Sequence, residues 1–420
     1  MSTLVLSAGT VASASGAHRP GWVEIDGERG TVLAVGAGPA PVPASALADA
    51  AAGADALAEA SADGAGAAAA VSHVDLGADA VIVPGFVDMH VHGGGGGAFT
   101  DESVEAQETA VATHRAHGTT RMLASLVTAH PEALLEQVAR LATLTERGVV
   151  AGIHLEGPWL SRKRKGAHDE TALRAPEPGE IDEVLAAGRG TVRMVTLAPE
   201  LPGALAAIER FVDAGVVVAI GHTDASYEVV SAAVDAGATV GTHLFNAMRP
   251  IKHREPGPIV ALMERPEVTV ELIVDGVHLH PAMHAFARQE VGPSRIALVT
   301  DAMAATGMPD GDYRIGELPV TVKDGAAVLA GTDTIAGSTA TTDVLFRTVL
   351  GGRIGDDEAL LEAIEQASVT PARAVGLEIA ALEPGHRADL VVLSGGEGAG
   401  SGADAGELAV ERVMVAGRWA

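Results

Sequence analysis

The central part of the chain alternates short, almost continuously apolar runs with longer stretches in which apolar residues recur every three or four positions. Between Gly85 and about Arg373 there are eight such runs: FVDMH, TTRMLAS, GIHLEG, VRMVTLA, VVVAIGHT, ATVGTHLFN, TVELIVDG and RIALVTDA. Runs of this kind are typical of strands buried on both faces, and the stretches between them have the length of helices. Eight successive strand–helix units predict an α/β fold, a (β/α)8 TIM barrel.

Strand-like segments also occur at both ends of the chain. WVEID and TVLAVGAG precede the barrel region, and ADLVVL and RVMVAGRW follow it. These segments predict a small β-sandwich domain made from residues 1–84 and 374–420. In the sequence, these two parts flank a catalytic barrel at residues 85–373. Residues 38–72 are rich in Ala, Gly and Pro, which indicates a surface insertion or a short Ala-rich helix, to which we assign no function.

Composition and charge exclude several classes of protein. The 420 residues include 28 Lys and Arg against 55 Asp and Glu, and a net charge of −27 excludes a basic nucleic-acid binder. The absence of cysteine excludes disulfides, thiolate metal sites and a cysteine nucleophile, so any metal must be held by His, Asp or Glu. The chain has no long apolar run and no basic segment before its first apolar stretch, which predicts a cytoplasmic protein without a membrane partner.

Polar residues follow the predicted strands at their carboxyl ends, where a barrel places its active site. His90 and His92 end the first run, and residues two apart in an extended segment point to the same side. The glycines Gly93–Gly97 after them permit close backbone approach. A single such residue has a plain structural explanation, as a core histidine bonded to backbone or a carboxylate capping a helix. Five strand ends that carry such residues together predict a metal centre.

The predicted metal ligands share imidazole or carboxylate chemistry, and they are His90, His92, Glu156, His222 and His243. Glu156 is suited to bridge two divalent ions. Nitrogen and oxygen donors suit Zn²⁺, Fe²⁺, Mn²⁺ or Co²⁺. Such an ion lowers the pKa of bound water to about 7. Asp301, at the end of the eighth run, is then the free carboxylate that takes the proton and delivers it to the leaving group, which indicates hydrolysis.

The motifs PGFVDMHVHG, HLEGPW, IGHT, THLFNAM, DGVHLHP and LVTDAM occur in this order. Over roughly residues 84 to 395 the chain resembles the N-acetylglucosamine-6-phosphate deacetylases of the amidohydrolase superfamily. The resemblance implies hydrolysis of N-acetyl-D-glucosamine 6-phosphate to D-glucosamine 6-phosphate and acetate, in amino-sugar catabolism and cell-wall recycling. It also implies Asp301 as the general acid and base, Glu156 as the metal-bridging group, and one or two ions per subunit, with Zn²⁺ preferred.

The same resemblance implies a set of substrate-binding residues. Arg254 matches the phosphate-binding arginine of the family, which reaches in from a neighbouring subunit, so a homodimer is expected. The other residues contact the sugar or the carbonyl group or line the pocket, and they are Ala167, His168, Asn246, Ala247, His278, Ile335, Ala336 and Gly337. The expected partner is therefore a small-molecule amino-sugar phosphate.

Two basic clusters provide charge for an anionic substrate on a chain of net charge −27. Arg162–Lys165 follow HLEGPWL, and a second group after THLFNAM consists of Arg249, Lys252, His253 and Arg254. We expect the second cluster to contact phosphate, because the planar arginine fork binds phosphate through two hydrogen bonds. We expect the first cluster to form a solvated loop or lid.

Three other functions fit part of the pattern. N-acetylgalactosamine 6-phosphate differs from the preferred substrate in the orientation of one hydroxyl group, and the motifs do not distinguish the two sugars. An amide-ring hydrolase or deaminase of another superfamily branch would not need Arg254 or Asn246. A non-catalytic barrel that binds sugar phosphates would be expected to lose Asp301 or a metal ligand, whereas all these positions are filled.

Overall fold

The computed structural model describes residues 3–40, 71–395 and 408–420, so the Ala-rich segment expected at 38–72 lies, apart from its two ends, outside the described residues. The chain separates into two compact units. One comprises Val87–Val349 and Glu365–Leu377, and the other comprises Met1–Phe86, Leu350–Ile364 and Glu378–Ala420. The domain limits at residues 84 and 373 stay a prediction.

The larger unit is built on eight strands whose order in the sheet follows the chain. Hydrogen bonds join the two edges of this sheet, since Val91 pairs with Ala302 and the Asp301 N–H donates to the His90 carbonyl at 2.8 Å. The predicted TIM barrel is confirmed. Its strands are Phe86–Val91, Thr119–Leu126, Gly152–Glu156, Val192–Leu197, Val217–Ile220, Val240–Gly241, Thr269–Leu272 and Ile296–Leu298.

A layer of polar side chains lies within the barrel and satisfies its own hydrogen bonds. His154 contacts Ser125 Oγ through Nδ1 and Thr196 Oγ1 through Nε2, both at 2.9 Å. Thr196 Oγ1 lies 2.9 Å from Thr242 Oγ1 in turn. Because each buried polar atom of the imidazole has a partner, this histidine has a structural explanation and needs no ligand.

The helices follow from amphipathic spacing and from their first residues. In Ala204–Asp213 the buried side chains are Ala204, Ala207, Ile208 and Phe211, the i, i+3, i+4, i+7 pattern of a helix with one core face. Ser103 accepts a hydrogen bond from the Ala106 N–H and caps another helix. The helices are Val104–Ala116, Pro131–Glu146, Pro178–Gly188, Ala204–Asp213, Tyr227–Asp235, Gly257–Glu264, Pro281–Val291, Thr342–Leu350, Asp357–Ile364 and Thr370–Ala374.

A three-stranded antiparallel sheet, which was not predicted from the sequence, follows the eighth barrel strand. Its strands are Gly311–Ile315, Leu318–Lys323 and Ala326–Leu329. Asp324 and Gly325, both with positive φ, connect the last two strands, and an Asp-Gly pair between apolar runs is a recognised hairpin signal. Val320 and Val322 pack with Met303 in one apolar cluster, so the sheet lies against the loop after the eighth strand.

The smaller unit contains two sheets. The first joins Thr31–Ala37, Gly21–Asp26, Thr3–Ala8 and Val71–Asp75, and the second joins Arg418–Trp419, Leu408–Val415, Leu390–Gly395, Val81–Pro84, Thr10–Ala12 and Ala17–His18. Leu6 and Ile25 of the first sheet share a buried cluster with Ile82, Leu390 and Met414 of the second. The predicted sandwich of both chain ends is therefore confirmed.

None of the helices in the described ranges is long and apolar enough to cross a membrane.

Candidate metal centre

The carboxyl ends of the barrel strands bring the predicted ligands together in two overlapping groups. The first contains His90, His92, Glu156 and Asp301, all buried. The Nε2 atoms of the two histidines lie 3.2 Å apart. Glu156 Oε2 lies 3.3 Å from His92 Nε2, and Asp301 Oδ1 lies 3.1 Å from the same nitrogen.

Glu156 also belongs to the second group, with His222 and His243. Its Oε1 atom lies 3.1 Å from His222 Nε2 and 3.0 Å from His243 Nε2, and these two nitrogens are 3.1 Å apart. Oε1 also lies 3.6 Å from His90 Nε2, so this one carboxylate contacts both groups. This is the arrangement expected of a residue that bridges two cations.

The strand ends that carry this cluster have unusual backbone conformations. His222, His243 and Asp301 have φ of 46°, 27° and 49°, in the left-handed region that non-glycine residues rarely adopt. Such conformations cost on the order of 1–3 kcal/mol each and concentrate at functional sites. The same region also includes Phe245 and Ala247 in the loop after the sixth strand.

Outer hydrogen bonds orient three of the four histidine rings. The Nδ1 atom of His90 lies 3.0 Å from Glu271 Oε2, that of His92 lies 3.2 Å from the Ser125 carbonyl, and that of His222 lies 2.7 Å from the Arg164 carbonyl. With the proton on Nδ1, each ring directs its Nε2 lone pair at the cluster. Glu271 was not predicted from the sequence, because it lies inside an apolar run rather than at its end.

The charges of the cluster fit a divalent cation. Burial lowers the pKa of His90, but the carboxylates of Glu271, Glu156 and Asp301 outweigh it and hold that pKa well above its ordinary value. Likewise, burial raises the pKa of Glu156, but His90 and His168 outweigh it and hold that pKa well below the ordinary range. The buried carboxylates therefore stabilise positive charge within the cluster. Nitrogen and oxygen atoms are also the ligands that Zn²⁺, Fe²⁺, Mn²⁺ and Co²⁺ bind.

Asp301 is buried at the mouth of the barrel in contact with the first group. Burial raises its pKa, but the neighbouring His90 and His92 outweigh that effect, so the pKa of Asp301 stays below its ordinary value. The side chain is therefore a carboxylate at neutral pH and can accept a proton. Asp301 was not among the metal ligands predicted from the sequence, whereas in the structure its Oδ1 lies 3.5 Å from His90 Nε2 and 3.1 Å from His92 Nε2.

A cavity of about 380 Å³ opens above the cluster. It is lined by four of the cluster residues and by most of the predicted substrate-binding residues, namely Ala167, His168, Asn246, Ala247, His278, Ile335 and Gly337. Gly337 has φ of 68°, and a Cβ atom there would meet the Asp301 carbonyl oxygen at 2.8 Å, so the loop requires glycine. Ala336 is fully buried and does not line the cavity, and Arg254 is exposed outside it.

His168 is held as a neutral imidazole beside the cluster. Its Nδ1 accepts from the Thr128 N–H at 3.3 Å, so its Nε2–H donates to Glu156 Oε2 at 3.3 Å. Burial is the largest cause that lowers the pKa of His168, to about 4. The loop of His168, which the sequence places far from the strand ends, therefore reaches the shared carboxylate.

Lys163 and Arg164 also line the cavity, although the sequence analysis expected their basic run to be a solvated loop or lid. Asp224 anchors both side chains. It accepts from Lys163 Nζ at 3.3 Å and from Arg164 Nε and Nη2 at 3.0 and 2.8 Å, and Arg249 Nη2 lies at 3.3 Å. Burial raises the pKa of Asp224, but these three cations outweigh it and lower the pKa to about 2. Lys163, Arg164 and Arg249 thus converge on one carboxylate beside the cavity.

The glycine loop after His92 packs too closely for side chains. A Cβ atom on Gly93 would meet the Gly97 carbonyl oxygen at 2.4 Å, and one on Gly97 would meet the Ala106 carbonyl oxygen at 2.1 Å. His114 of the helix Val104–Ala116 supports the loop, because its Nε2 donates to the Gly93 carbonyl at 2.9 Å. Burial lowers the pKa of His114 to about 4.

Acidification is expected to destabilise the barrel unit through His114. The folded-state pKa of about 4 lies below the unfolded value near 6.5, so the unfolded chain binds the extra proton and stability falls as the pH falls through this window. The expected contribution is about 2 kcal/mol between pH 7 and pH 5. Urea unfolding at both pH values should show a smaller loss for His114→Gln than for the wild type. The exposed His130→Gln should behave as the wild type, and an equal loss in all three would contradict this assignment.

The family model of the amidohydrolases, "Amidohydrolase family", matches residues 81–420. The chain therefore belongs to the amidohydrolase family, and this membership implies a divalent metal.

Individual relatives narrow the comparison. An N-acetylglucosamine-6-phosphate deacetylase of Vibrio furnissii is 37% identical over 344 residues, which cover 80% of this chain and 82% of that protein. An N-acetylgalactosamine-6-phosphate deacetylase of Escherichia coli O157:H7 is 37% identical over 323 residues, covering 75% and 84%. A variant N-acetyl-D-glucosamine-6-phosphate deacetylase of Mycobacterium smegmatis, solved in complex with N-acetyl-D-glucosamine-6-phosphate, has a TM-score of 0.87 and 52% identity, covering 100% of this chain and 99% of that one. The resemblance inferred from the motifs is confirmed.

Proposed function

We propose that this protein hydrolyses the acetamide of N-acetyl-D-glucosamine 6-phosphate to D-glucosamine 6-phosphate and acetate, in amino-sugar catabolism and cell-wall recycling. The observation that carries the proposal is the cavity above the two ligand groups, which joins Asp301 and the shared Glu156 to a rim with Lys163 and Arg164. Asp301 and Glu156 provide the groups that amide hydrolysis requires. Lys163 and Arg164 provide positive charge for the phosphate of the sugar. The Mycobacterium smegmatis relative, which is 52% identical in sequence, was solved in complex with this sugar phosphate.

The cofactor we propose is zinc, held by His90, His92, Glu156, His222 and His243, with one or two ions per subunit. When bound, such an ion polarises a carbonyl group and lowers the pKa of water towards neutrality. The Nδ1 hydrogen bonds described above keep the Nε2 atoms of His90, His92 and His222 available to it.

Proton transfer is the role of Asp301. As a carboxylate at neutral pH it accepts a proton from water and then delivers it to the amine that leaves, so that the departing group is a neutral sugar amine. In the substrate complex the Nε2–H of the neutral His168 changes its acceptor from Glu156 Oε2, 3.3 Å away, to the amide oxygen, where negative charge develops. The low pKa of His168 keeps this histidine from carrying a charge of its own.

The sugar and phosphate are bound by the loops around the cavity. Asn246 and Ala247, in the loop after the sixth strand, line the cavity, as does His278. Asp275 orients His278, because its Oδ2 lies 2.8 Å from His278 Nδ1. We propose that Arg254, exposed in its own chain, completes the phosphate site of a neighbouring subunit in a homodimer. Because a hexose phosphate is charged and does not cross a bilayer unaided, we propose the cytoplasm as the place where enzyme and substrate meet.

Arg254→Ala is expected to raise KM for the phosphorylated substrate by about tenfold to a hundredfold and to leave kcat little changed. A hydrogen bond to a charged group contributes about 1.5–3 kcal/mol, and this one is made equally to substrate and transition state. Steady-state acetate release with N-acetylglucosamine 6-phosphate and with unphosphorylated N-acetylglucosamine gives the comparison. Equal losses on both sugars would contradict a phosphate role.

The shared site is tested by mixing two impaired proteins and assaying them at a substrate concentration well below the raised KM of Arg254→Ala. Arg254→Ala lacks the donated arginine and Asp301→Asn lacks the proton-transfer group, so a mixed dimer contains one complete site. Recovery of activity on mixing, with a dimer mass by light scattering, supports the proposal. Dimers that exchange subunits without recovery would argue against an arginine donated across the interface.

The direct test of function is acetate release by the purified protein with Zn²⁺, Mn²⁺ or Co²⁺ present and after chelation. We expect metal-dependent release from N-acetylglucosamine 6-phosphate, whereas no release above the metal-free control would favour a non-catalytic sugar-phosphate binder. The galacto epimer is a second candidate substrate because a relative with that name is also 37% identical. A higher kcat/KM for the galacto epimer would overturn the choice of substrate.

A further inference from the structure

Glu271 is a fully buried carboxylate on the seventh strand, with no exposed surface. Its Oε2 atom accepts two hydrogen bonds, from His90 Nδ1–H at 3.0 Å and from the backbone N–H of His243 at 3.0 Å. Among the described residues its Oε1 atom has no partner at all. A buried charge that is half unsatisfied is costly, so a structural role alone does not explain it.

The two hydrogen bonds reach both ligand groups. Through the His90 ring, Glu271 acts on the first group, because a proton fixed on Nδ1 leaves the Nε2 lone pair 3.2 Å from His92 Nε2 and 3.5 Å from Asp301 Oδ1. Through the backbone of His243, it holds a residue of the second group at a φ of 27°, a conformation that needs external support. No other carboxylate in the described chain bonds to members of both groups from outside the cluster.

We infer that Glu271 is a positioning residue for both ligand groups: it orients His90 and strengthens its nitrogen as a donor to a divalent cation, and it anchors His243. Carboxylate–histidine pairs behind a metal are known to fix the ring and strengthen its nitrogen as a donor, and their loss typically lowers metal affinity by about 10–100-fold. The inference rests on the metal chemistry of the proposed function. It concerns cation binding alone, so it can be tested without substrate.

The experiment is a Co²⁺ titration of the chelator-treated full-length chain, followed by the visible absorption of the bound ion and by elemental analysis. Glu271→Gln keeps the shape of the side chain and one acceptor oxygen but removes the charge. We expect at least one Co²⁺ to bind about 10–100-fold more weakly than in the wild type, and excess Co²⁺ to restore the wild-type stoichiometry and spectrum. Restoration at high metal separates altered affinity from misfolding.

Thr119→Val is the matched control. It removes an equally buried hydrogen bond, to Thr342 Oγ1, from a residue that bonds to no member of either ligand group, so its Co²⁺ affinity should equal that of the wild type. Glu271→Asp keeps the charge on a shorter side chain and should fall between Gln and the wild type, which keeps the test open if Gln does not fold. Wild-type affinity in both Glu271 variants, or an equal loss in the control, would overturn the inference. Absence of acetate release with these Co²⁺ results intact would instead count against the proposed function.

Discussion

Asp301→Asn is expected to lower kcat for deacetylation by about 10²–10⁴-fold while KM changes little. The reason is chemical, since asparagine has nearly the same shape but cannot accept a proton from water or carry one to the departing amine. The low pKa of Asp301, set by His90 and His92 against the opposing effect of burial, means that the carboxylate form is the one lost. Initial rates of acetate release across substrate concentrations separate kcat from KM.

The control for this prediction is Asp333→Asn, which makes the same chemical change at another acid of the same cavity that does not belong to either ligand group. It should retain most of the wild-type kcat. Elemental analysis of both variants shows whether metal is retained, because Asp301 Oδ1 also lies close to the two histidines of the first group. Normal turnover by Asp301→Asn with full metal content would require a different proton carrier.

The barrel was predictable because its strands are short and apolar and its helices have a different period. Apolar strands such as Gly152–Glu156 end in a polar residue, and in parallel strands all such ends lie on one rim, so five separate positions could be assigned to one site. The spatial result, with Glu156 between His92 on one side and His222 and His243 on the other, follows from this topology.

Contacts that depend on loops were harder to predict from the sequence. Lys163 and Arg164 form a charged run, and a charged run alone is typical of a solvated surface. Only the folded chain places Asp224, about sixty residues away, where it accepts hydrogen bonds from both side chains and holds them at the rim of the cavity. Asp224 itself follows His222 by two residues, and this closeness to a predicted ligand was the one available signal.

Buried polar residues inside strands were missed for a different reason. Glu271 interrupts the apolar run TVELIVDG, and in a barrel strand every second residue points inwards, so a carboxylate there needs a partner. The sequence does not say which partner. The answer, His90 on the first strand and the backbone of His243 in the turn after the sixth, depends on the closure of the sheet and on the path of that turn.

Glu156→Gln is expected to have the largest effect of all, because this carboxylate is the only residue common to both ligand groups of the described chain. An amide presents one oxygen instead of two and carries no charge, so neither group keeps its anionic ligand from Glu156. Transition-state stabilisation by a catalytic cation is worth several kcal/mol, and at 1.36 kcal/mol per decade its loss lowers kcat/KM by at least about 10³-fold. Metal content after dialysis should fall in parallel.

Glu200→Gln provides the matched comparison, since Glu200 also accepts two hydrogen bonds, from Thr223 Oγ1 and the Asp224 N–H, but belongs to neither group. Its metal content should match that of the wild type. Added metal should restore Glu156→Gln only in part, because mass action fills a weakened site but does not return the lost charge. If Glu156→Gln kept both its metal and its turnover, the two groups would not share a ligand and the proposed bridging role would be wrong.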